Sequence, residues 1–307
     1  MQQIPMIQTD SNWSPPSLLP DLTNEKEIAI DLETRDPNLM KQGPGWATGD
    51  GEVVGIAVAS KDWSGYLPIR HEGGGNLDKT FILSWLERQL NTNSDKVFHN
   101  SSYDVGWLKR EGILVSGKIQ DTMIAAPLLN ENRNRYSLDS LGAEYCGERK
   151  DETLLKEAAQ EWGINPKAEM WKLPSKYVGA YAEQDAVLTL KLWNKMKPIL
   201  EKQNLTAIYE LESGLLPLLI EMRWRGILID QDKAAQTSET LKIKEKETLK
   251  QVKRLCGMDI EVWASASVAK GFDKLGIKYP RTQRTNAPSF TSQWLETHGH
   301  DLPKAIV

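Results

Sequence analysis

Two cysteines, Cys146 and Cys256, and four histidines are all that the 307-residue chain holds of the side chains that build disulfides and most zinc sites. Each cysteine stands alone, which excludes a disulfide framework and a cysteine zinc site and points to a reducing compartment. Long apolar runs are also missing. The best, Leu215 to Ile220, contains Pro217, and the first twenty residues have neither a basic start nor an apolar stretch. A membrane span and a secretory leader are therefore not expected, and a cytoplasmic location is. Nor is there an excess of positive charge: 38 Lys+Arg against 42 Asp+Glu give a net charge of −4. That balance excludes a protein that coats nucleic acid by bulk charge, but it permits local strand binding through metal ions. What is present is ordinary for a globular chain, with 40% hydrophobic and 26% charged residues. One large or two modest domains with a sizeable core are expected.

Residues 1–26 are rich in Ser, Pro and polar side chains and read as an extended arm outside the core. From Glu27 the pattern sharpens: Ile28, Ile30 and Leu32 alternate with Ala29, Asp31 and Glu33 in the period of two that a strand requires. Val53 to Ala59 and Tyr66 to Ile69 predict two further strands, forming an antiparallel meander with the first. A helix over 77–90, a short strand over 96–98, and a helix from Tyr103 capped by Asn100 or Ser101 complete a mixed α/β sheet with flanking helices. Beyond Asp121 strand signals nearly stop. Spacings of three and four predict helices over 137–145, 153–162, 176–197, 205–224 and 233–255. The chain thus divides into residues 27–203 and a mainly helical segment, residues 204–307.

Asp31 and Glu33, two apart on a strand, emerge from one face opposite the apolar row. Taken alone, this pair fits a strand with a solvated polar face. Asp104 falls in the first turn of a helix, where the dipole favours a carboxylate. Tyr181 and Asp185 lie one turn apart on another helix, directly before the apolar Ala186, Val187 and Leu188. A carboxylate beside such a run is costly to bury unpaired, and no nearby run of Lys or Arg offers a partner. Four carboxylates without His or Cys make a hard-oxygen site for Mg²⁺ or Mn²⁺, with room for two ions.

Asp31-Leu32-Glu33, Asn100 to Asp104, and Tyr181 to Asp185 resemble the three successive motifs of DEDD-superfamily 3′ to 5′ exonucleases. The tyrosine four residues before the last aspartate is similar to the tyrosine branch of that superfamily. Gln120 to Met123 and Tyr136 to Leu141 extend the similarity toward the proofreading domain of family A DNA polymerases, particularly those of bacteriophages. The resemblance implies a ribonuclease H-like fold and a metal-dependent DNA exonuclease that releases 5′-monophosphates from single-stranded or frayed 3′ ends. It implies that Asp31, Glu33 and Asp185 hold one ion, that Asp31 bridges to a second supported by Asp104, and that Tyr181 and Glu33 orient the nucleophile. It further implies that Asn100, Thr34, Leu39 and Tyr103 contact substrate, Leu39 as an apolar wedge. The Gly43–Gly51 loop, with Trp46, is longer than the resemblance leads one to expect, and a stacking contact of Trp46 with the strand is a separate expectation.

The run from Glu221 to Asp230 and the segments around Trp263 and Phe290 resemble the stretch leading from proofreader toward the thumb of the same polymerases. No Asp-Tyr-Ser, His-Asp-Glu or Arg-x-x-x-Lys motif of the palm and fingers follows. The chain is accordingly not expected to synthesise DNA alone, whether it is a piece of a longer polymerase or a subunit whose polymerase half is another chain. If phage-encoded, it would work in the host cytoplasm. The competing readings are a DNA-binding or polymerase-assembly subunit with little activity, and a 3′ to 5′ exoribonuclease of the same branch.

Overall fold

The structure, a computed structural model, describes residues 10–307. In chain order the elements are β1 Glu27–Arg35, α1 Leu39–Gln42, α2 Gly45–Thr48, β2 Glu52–Ala59, β3 Ser64–Pro68, α3 Lys79–Leu90, β4 Asp95–Phe98, α4 Ser101–Arg110, β5 Ile119–Asp121, α5 Thr122–Leu129, α6 Leu138–Leu141, α7 Thr153–Glu161, α8 Gly179–Lys202, α9 Thr206–Arg225, α10 Gln231–Cys256, α11 Ser265–Lys274, α12 Ser292–Thr297 and α13 Asp301–Ile306. Among the described residues the strands form one five-stranded sheet, ordered β3-β2-β1-β4-β5. β1 is central, antiparallel to β2 and parallel to β4. Short loops join the antiparallel strands, whereas the parallel pairs need the crossover helices α3 and α4.

The period of two in β1 separates two cores. Ile28, Ile30 and Leu32 join Ile56, Val58 and Leu67 beneath α3 and α4, around the fully buried Trp107. Ala29 and its neighbours Ala57 and Ala59 face the other way, where Ala182, Ala186 and Trp193 of α8 cover them. Asp31 and Glu33 therefore sit on the α8 side of the sheet. Small residues on β2 let the long helix approach closely, and α8 packs across β1, β2 and β3.

Several expectations are corrected. The arm is extended over its described residues, but it is not outside the core; its first nine residues lie outside the described ones. Leu22 is buried, its N–H donates to Gln89 Oε1 at 2.7 Å, and Trp13 fills space that a Cβ on Gly179 would occupy. β5 carried no strand signal because it has only three residues and ends in a buried aspartate. The compact units divide after Gly226 rather than at 203, since α9 belongs with the sheet: the N–H of Asp121 donates to the Tyr209 hydroxyl at 2.8 Å, and Trp224 stacks on Trp46 with ring centroids 6.3 Å apart.

The second unit, Ile227–Val307, has its own small core of Val252, Cys256, Val268, Phe272, Ile277, Leu295 and Leu302. Phe272 is its centre, meeting Phe290 edge to face at 5.1 Å. The Lys-rich face of α10 is solvated, as its alternating charge predicts. Among the described residues, no helix is long and apolar enough to cross a membrane.

Candidate metal centre

Asp31 and Glu33 project from β1, and Asp185 projects from α8, which lies across that face of the sheet. One ligand oxygen from each of the three lies within 4.8 Å of the other two. The solvated-face reading of Asp31 and Glu33 fails on burial: Glu33 is 8% and Asp185 3% exposed, and only Asp31 opens further toward the surface. Asp104, 4% exposed, enters from the first turn of α4, its carboxylate near the backbone amide of Leu32, between the two β1 carboxylates. It lies outside the three-oxygen group but is coupled electrostatically to Asp31 and Glu33.

Burial and mutual repulsion hold these groups far from their ordinary protonation behaviour. Asp31 is pushed up to about 7, first by burial and then by the Asp185 carboxylate, with Lys150 pulling the other way. Burial followed by the charge of Asp31 pushes Glu33 well up, and the same two causes act on Asp104. Perturbation of this kind marks places where charge has been gathered for binding or chemistry.

Lys150 is the residue that sequence reasoning missed, and it corrects the expectation that Asp185 has no cationic partner. Its Nζ pairs with Asp185 Oδ2 and donates to the Tyr181 hydroxyl at 2.8 Å. The lysine reaches the site from a loop 35 positions before Asp185 in the chain, so no local pattern announces it. Burial disfavours its charge, but Asp185, Asp31 and Glu33 more than compensate and keep it protonated. Tyr181 is pushed up by burial and by the neighbouring carboxylates, so its phenol stays neutral and able to donate.

A single ammonium does not satisfy four carboxylates. Asp185 Oδ1 is buried without a hydrogen-bond partner, an arrangement costly unless a cation completes it. The donor set is all oxygen, three carboxylates converge, and one lone pair is orphaned; these residues fit Mg²⁺ or Mn²⁺.

The surroundings are closely packed. Gly55, opposite Glu33 in the sheet, has no Cβ, and the Tyr66 hydroxyl leans over it; an added Cβ would come within 2.0 Å of that oxygen. Tyr66 donates to His71 Nε2 at 2.7 Å, while His71 Nδ1–H donates to the Leu173 carbonyl at 2.9 Å. Burial pushes His71 down to about 4, so the ring is neutral and this tautomer fits both contacts. Asp121 fixes the start of α4: its carboxylate accepts from the N–H groups of Asn100 at 3.1 Å and Ser101 at 2.7 Å, and also from Met123 N–H in α5 at 2.7 Å. The cap expected of Asn100 or Ser101 is supplied instead by this aspartate from the neighbouring strand. Asn100 takes the left-handed conformation, φ 76°, and its side-chain oxygen accepts from Ser102.

Of the residues expected to meet substrate, Thr34 and Tyr103 stand together, their hydroxyls 2.7 Å apart, and Tyr103 also donates to Asp36 at 3.0 Å. A register shift in the β1–β2 pairing falls between Glu33 and Thr34. Leu39 lies on α1 and is 37% exposed, whereas the adjacent Met40 is 95% exposed. Trp46 is not available for stacking on a strand. It is buried against Gly106 of α4, the loop around it being tied by Arg110 to the carbonyls of Gly45, Gly49 and Asp50.

Comparison with known proteins gives a consistent picture. A family described as 3′-5′ exonuclease matches residues 9–201. The chain is 38% identical to a DNA-directed DNA polymerase of Pseudomonas phage M6, over 98% of this chain and 47% of that protein. It is 30% identical to a DNA polymerase of Acinetobacter phage SH-Ab 15497, over 94% of this chain and 46% of the relative. It thus spans about half the length of these curated relatives. Among solved structures, the polymerase domain of Pol1 from M. smegmatis, in complex with DNA primer-template and dNTP, aligns with TM-score 0.64 at 15% identity, covering 92% of this chain and 44% of that one. The fold is shared with it.

Proposed function

We propose, from the premise that this chain belongs to the 3′-5′ exonuclease family of DNA polymerase I-like proteins, that it is a metal-dependent exodeoxyribonuclease. In this reading it removes 3′-terminal nucleotides of single-stranded or frayed DNA as 5′-monophosphates. The observation that carries the proposal is the convergence of Asp31, Glu33 and Asp185, one of whose oxygens, Asp185 Oδ1, is buried without a partner, with Asp104 electrostatically linked to the group and Tyr181 one helical turn from Asp185.

Two divalent cations, when bound, supply a water of lowered pKa and charge stabilisation for the departing 3′ oxygen. The chain's own contribution is to hold them and to orient what reacts. Asp31, Glu33 and Asp185 offer the ligand oxygens, and Asp104 adds negative charge where a second cation would need it. The neutral Tyr181 phenol, with Lys150 donating to its oxygen, is a hydrogen-bond partner for an attacking water rather than a base. Glu33, buried on the same side, shares that orienting role. Asn100, Thr34 and Tyr103 lie at the ends of the elements carrying the acids, where they would contact the terminal nucleotide, with Leu39 as its apolar neighbour. The second unit would be the attachment point for a polymerase module, in the same chain or another.

The test is digestion of a 5′-labelled single-stranded DNA oligonucleotide with Mg²⁺, with EDTA, and by the Asp31→Ala protein. A one-nucleotide ladder from wild type with Mg²⁺ alone is expected. Preference for an RNA oligonucleotide of the same sequence would make it an exoribonuclease, a choice that one 2′-hydroxyl contact can decide. Binding without shortening would make it a DNA-binding or assembly unit.

A further inference from the structure

Lys150 stands in a loop, yet both peptide groups that flank its Cα are clamped by side chains. In the peptide before it, the Arg149 carbonyl accepts from Gln184 Nε2 at 3.1 Å and the Lys150 N–H donates to Asp139 Oδ1 at 3.1 Å. In the peptide after it, the Asp151 N–H donates to Gln184 Oε1 at 2.8 Å. Fixing two successive peptide planes fixes φ and ψ of the residue between them, and with them the direction of its Cα–Cβ bond. That direction carries the ammonium to Asp185 and the Tyr181 hydroxyl, with Nζ 4.6 Å from the Tyr181 ring centre. Gln184 is the immediate neighbour of Asp185 on α8, so one turn of helix supplies both a carboxylate and the amide that presents its counter-charge.

We propose that Gln184, assisted by Asp139, is a positioning residue that acts on the reaction through Lys150. The clasp holds a fixed positive charge against Asp185, and this has two opposed effects. It weakens the hold of the carboxylates on a divalent cation by like-charge repulsion, and it orders Tyr181 and Asp185 for turnover. Both residues are partly exposed, so their replacement leaves the buried packing in place.

The inference rests on the exonuclease reading but is tested partly without it. Mn²⁺ binding to the protein alone would be followed by electron paramagnetic resonance, and kcat and KM on a single-stranded DNA oligonucleotide measured beside it. Gln184→Ala should tighten Mn²⁺ about threefold and lower kcat about tenfold while leaving KM unchanged. Asp139→Ala should shift both in the same directions, and Lys150→Met should do so further. In the Lys150→Met background, Gln184→Ala should change neither quantity, because the charge it positions is gone. Weaker Mn²⁺ binding in Gln184→Ala, or an undiminished effect in the Lys150→Met background, would overturn the proposal and mark Gln184 as a support of the fold. A wild-type protein that binds Mn²⁺ but shortens no oligonucleotide would refute the exonuclease reading; the Mn²⁺ coupling would then decide the clasp by itself.

Discussion

The backbone N–H of Asp121 donates to the hydroxyl of Tyr209 at 2.8 Å, so the last strand of the sheet is tied to a helix that begins beyond residue 203. Tyr209 is 3% exposed and packs on Trp193 of α8 at 5.3 Å between ring centres. A chain ending at Gly226 should therefore retain the stability and activity of the first unit, and one ending at residue 203 should lose several kcal/mol, since deleting a single buried aromatic costs about 3–5 kcal/mol. Urea denaturation of the two truncated chains checks this; equal midpoints would place the boundary back at 203.

The carboxylate of Asp121 caps two helices at once, and Asp104 lies in the first turn of one of them. Asp121→Ala should cost about 3–5 kcal/mol, the sum of two N-caps at roughly 1 kcal/mol each and a newly unpaired N–H at about 1–3 kcal/mol. It should also reduce hydrolysis, because Asp104 moves with α4. An unfolding curve and an oligonucleotide assay on one preparation separate the two effects.

Gly106 and Trp46 test the packing between α4 and α2. A Cβ at position 106 would lie 2.2 Å from the indole of Trp46, which has no free side to retreat to because Trp224 stacks on it. Gly106→Ala should destabilise by about 1–3 kcal/mol, as overpacked cores do, measured by thermal or urea unfolding. An unchanged midpoint would show the indole to be more mobile than its burial implies.

The raised carboxylates make a signed prediction for pH. Asp31 is pushed up to about 7 from an unfolded value near 4, so between those limits the folded protein keeps a proton that the unfolded chain has lost. Stability in EDTA should then fall as pH rises from about 4 to about 7, by an amount on the order of 5 °C in Tm, with the raised Glu33 and Asp104 adding to the fall. Mg²⁺ should restore the loss at pH 8 far more than at pH 5, where protons compete for the ligands. Thermal melts at four pH values with and without Mg²⁺ decide it, and a rising or flat EDTA profile would contradict the argument.

For the same reason, Asp31→Asn should separate function from stability. It should abolish Mg²⁺-dependent degradation, a loss on the order of a thousandfold or more, while raising Tm in EDTA at pH 8 by removing one of several like charges. A variant that is both inactive and less stable would mean that Asp31 supports the fold through contacts other than repulsion.

Most of this architecture was legible in the sequence where it depends on local periodicity. The alternation from Ile28 to Glu33 identified β1 and which side chains share its face, and the three-and-four spacing identified α8 and α10. What escaped depends on distance. β5 is too short to show a period, and the partner that caps α4 comes from that strand rather than from Asn100 or Ser101. Lys150 is an ordinary charged residue in a loop, and only the folded chain shows its ammonium directed at Asp185. Trp46 reads as an exposed loop aromatic, and its burial depends on the absence of a side chain at Gly106, sixty positions away. The candidate site was legible because its acids sit on regular elements; its counter-charge was not, because the loop bearing it has no period of its own.

The alternation in β1 has one more consequence, for folding. β1 is paired on both edges, and a slip by one residue would drive Asp31 and Glu33 into the layer of Ile56 and Leu67, while Ile30 and Leu32 would be delivered to the α8 side, against Asp185. Each mispaired state buries two charges among hydrocarbon, at a cost that dwarfs the loss of a hydrogen bond or two. The acidic pair thereby acts as an error-rejecting mark on the central strand. Neutralising both acids would remove that penalty and make slipped or swapped strands harder to exclude during refolding.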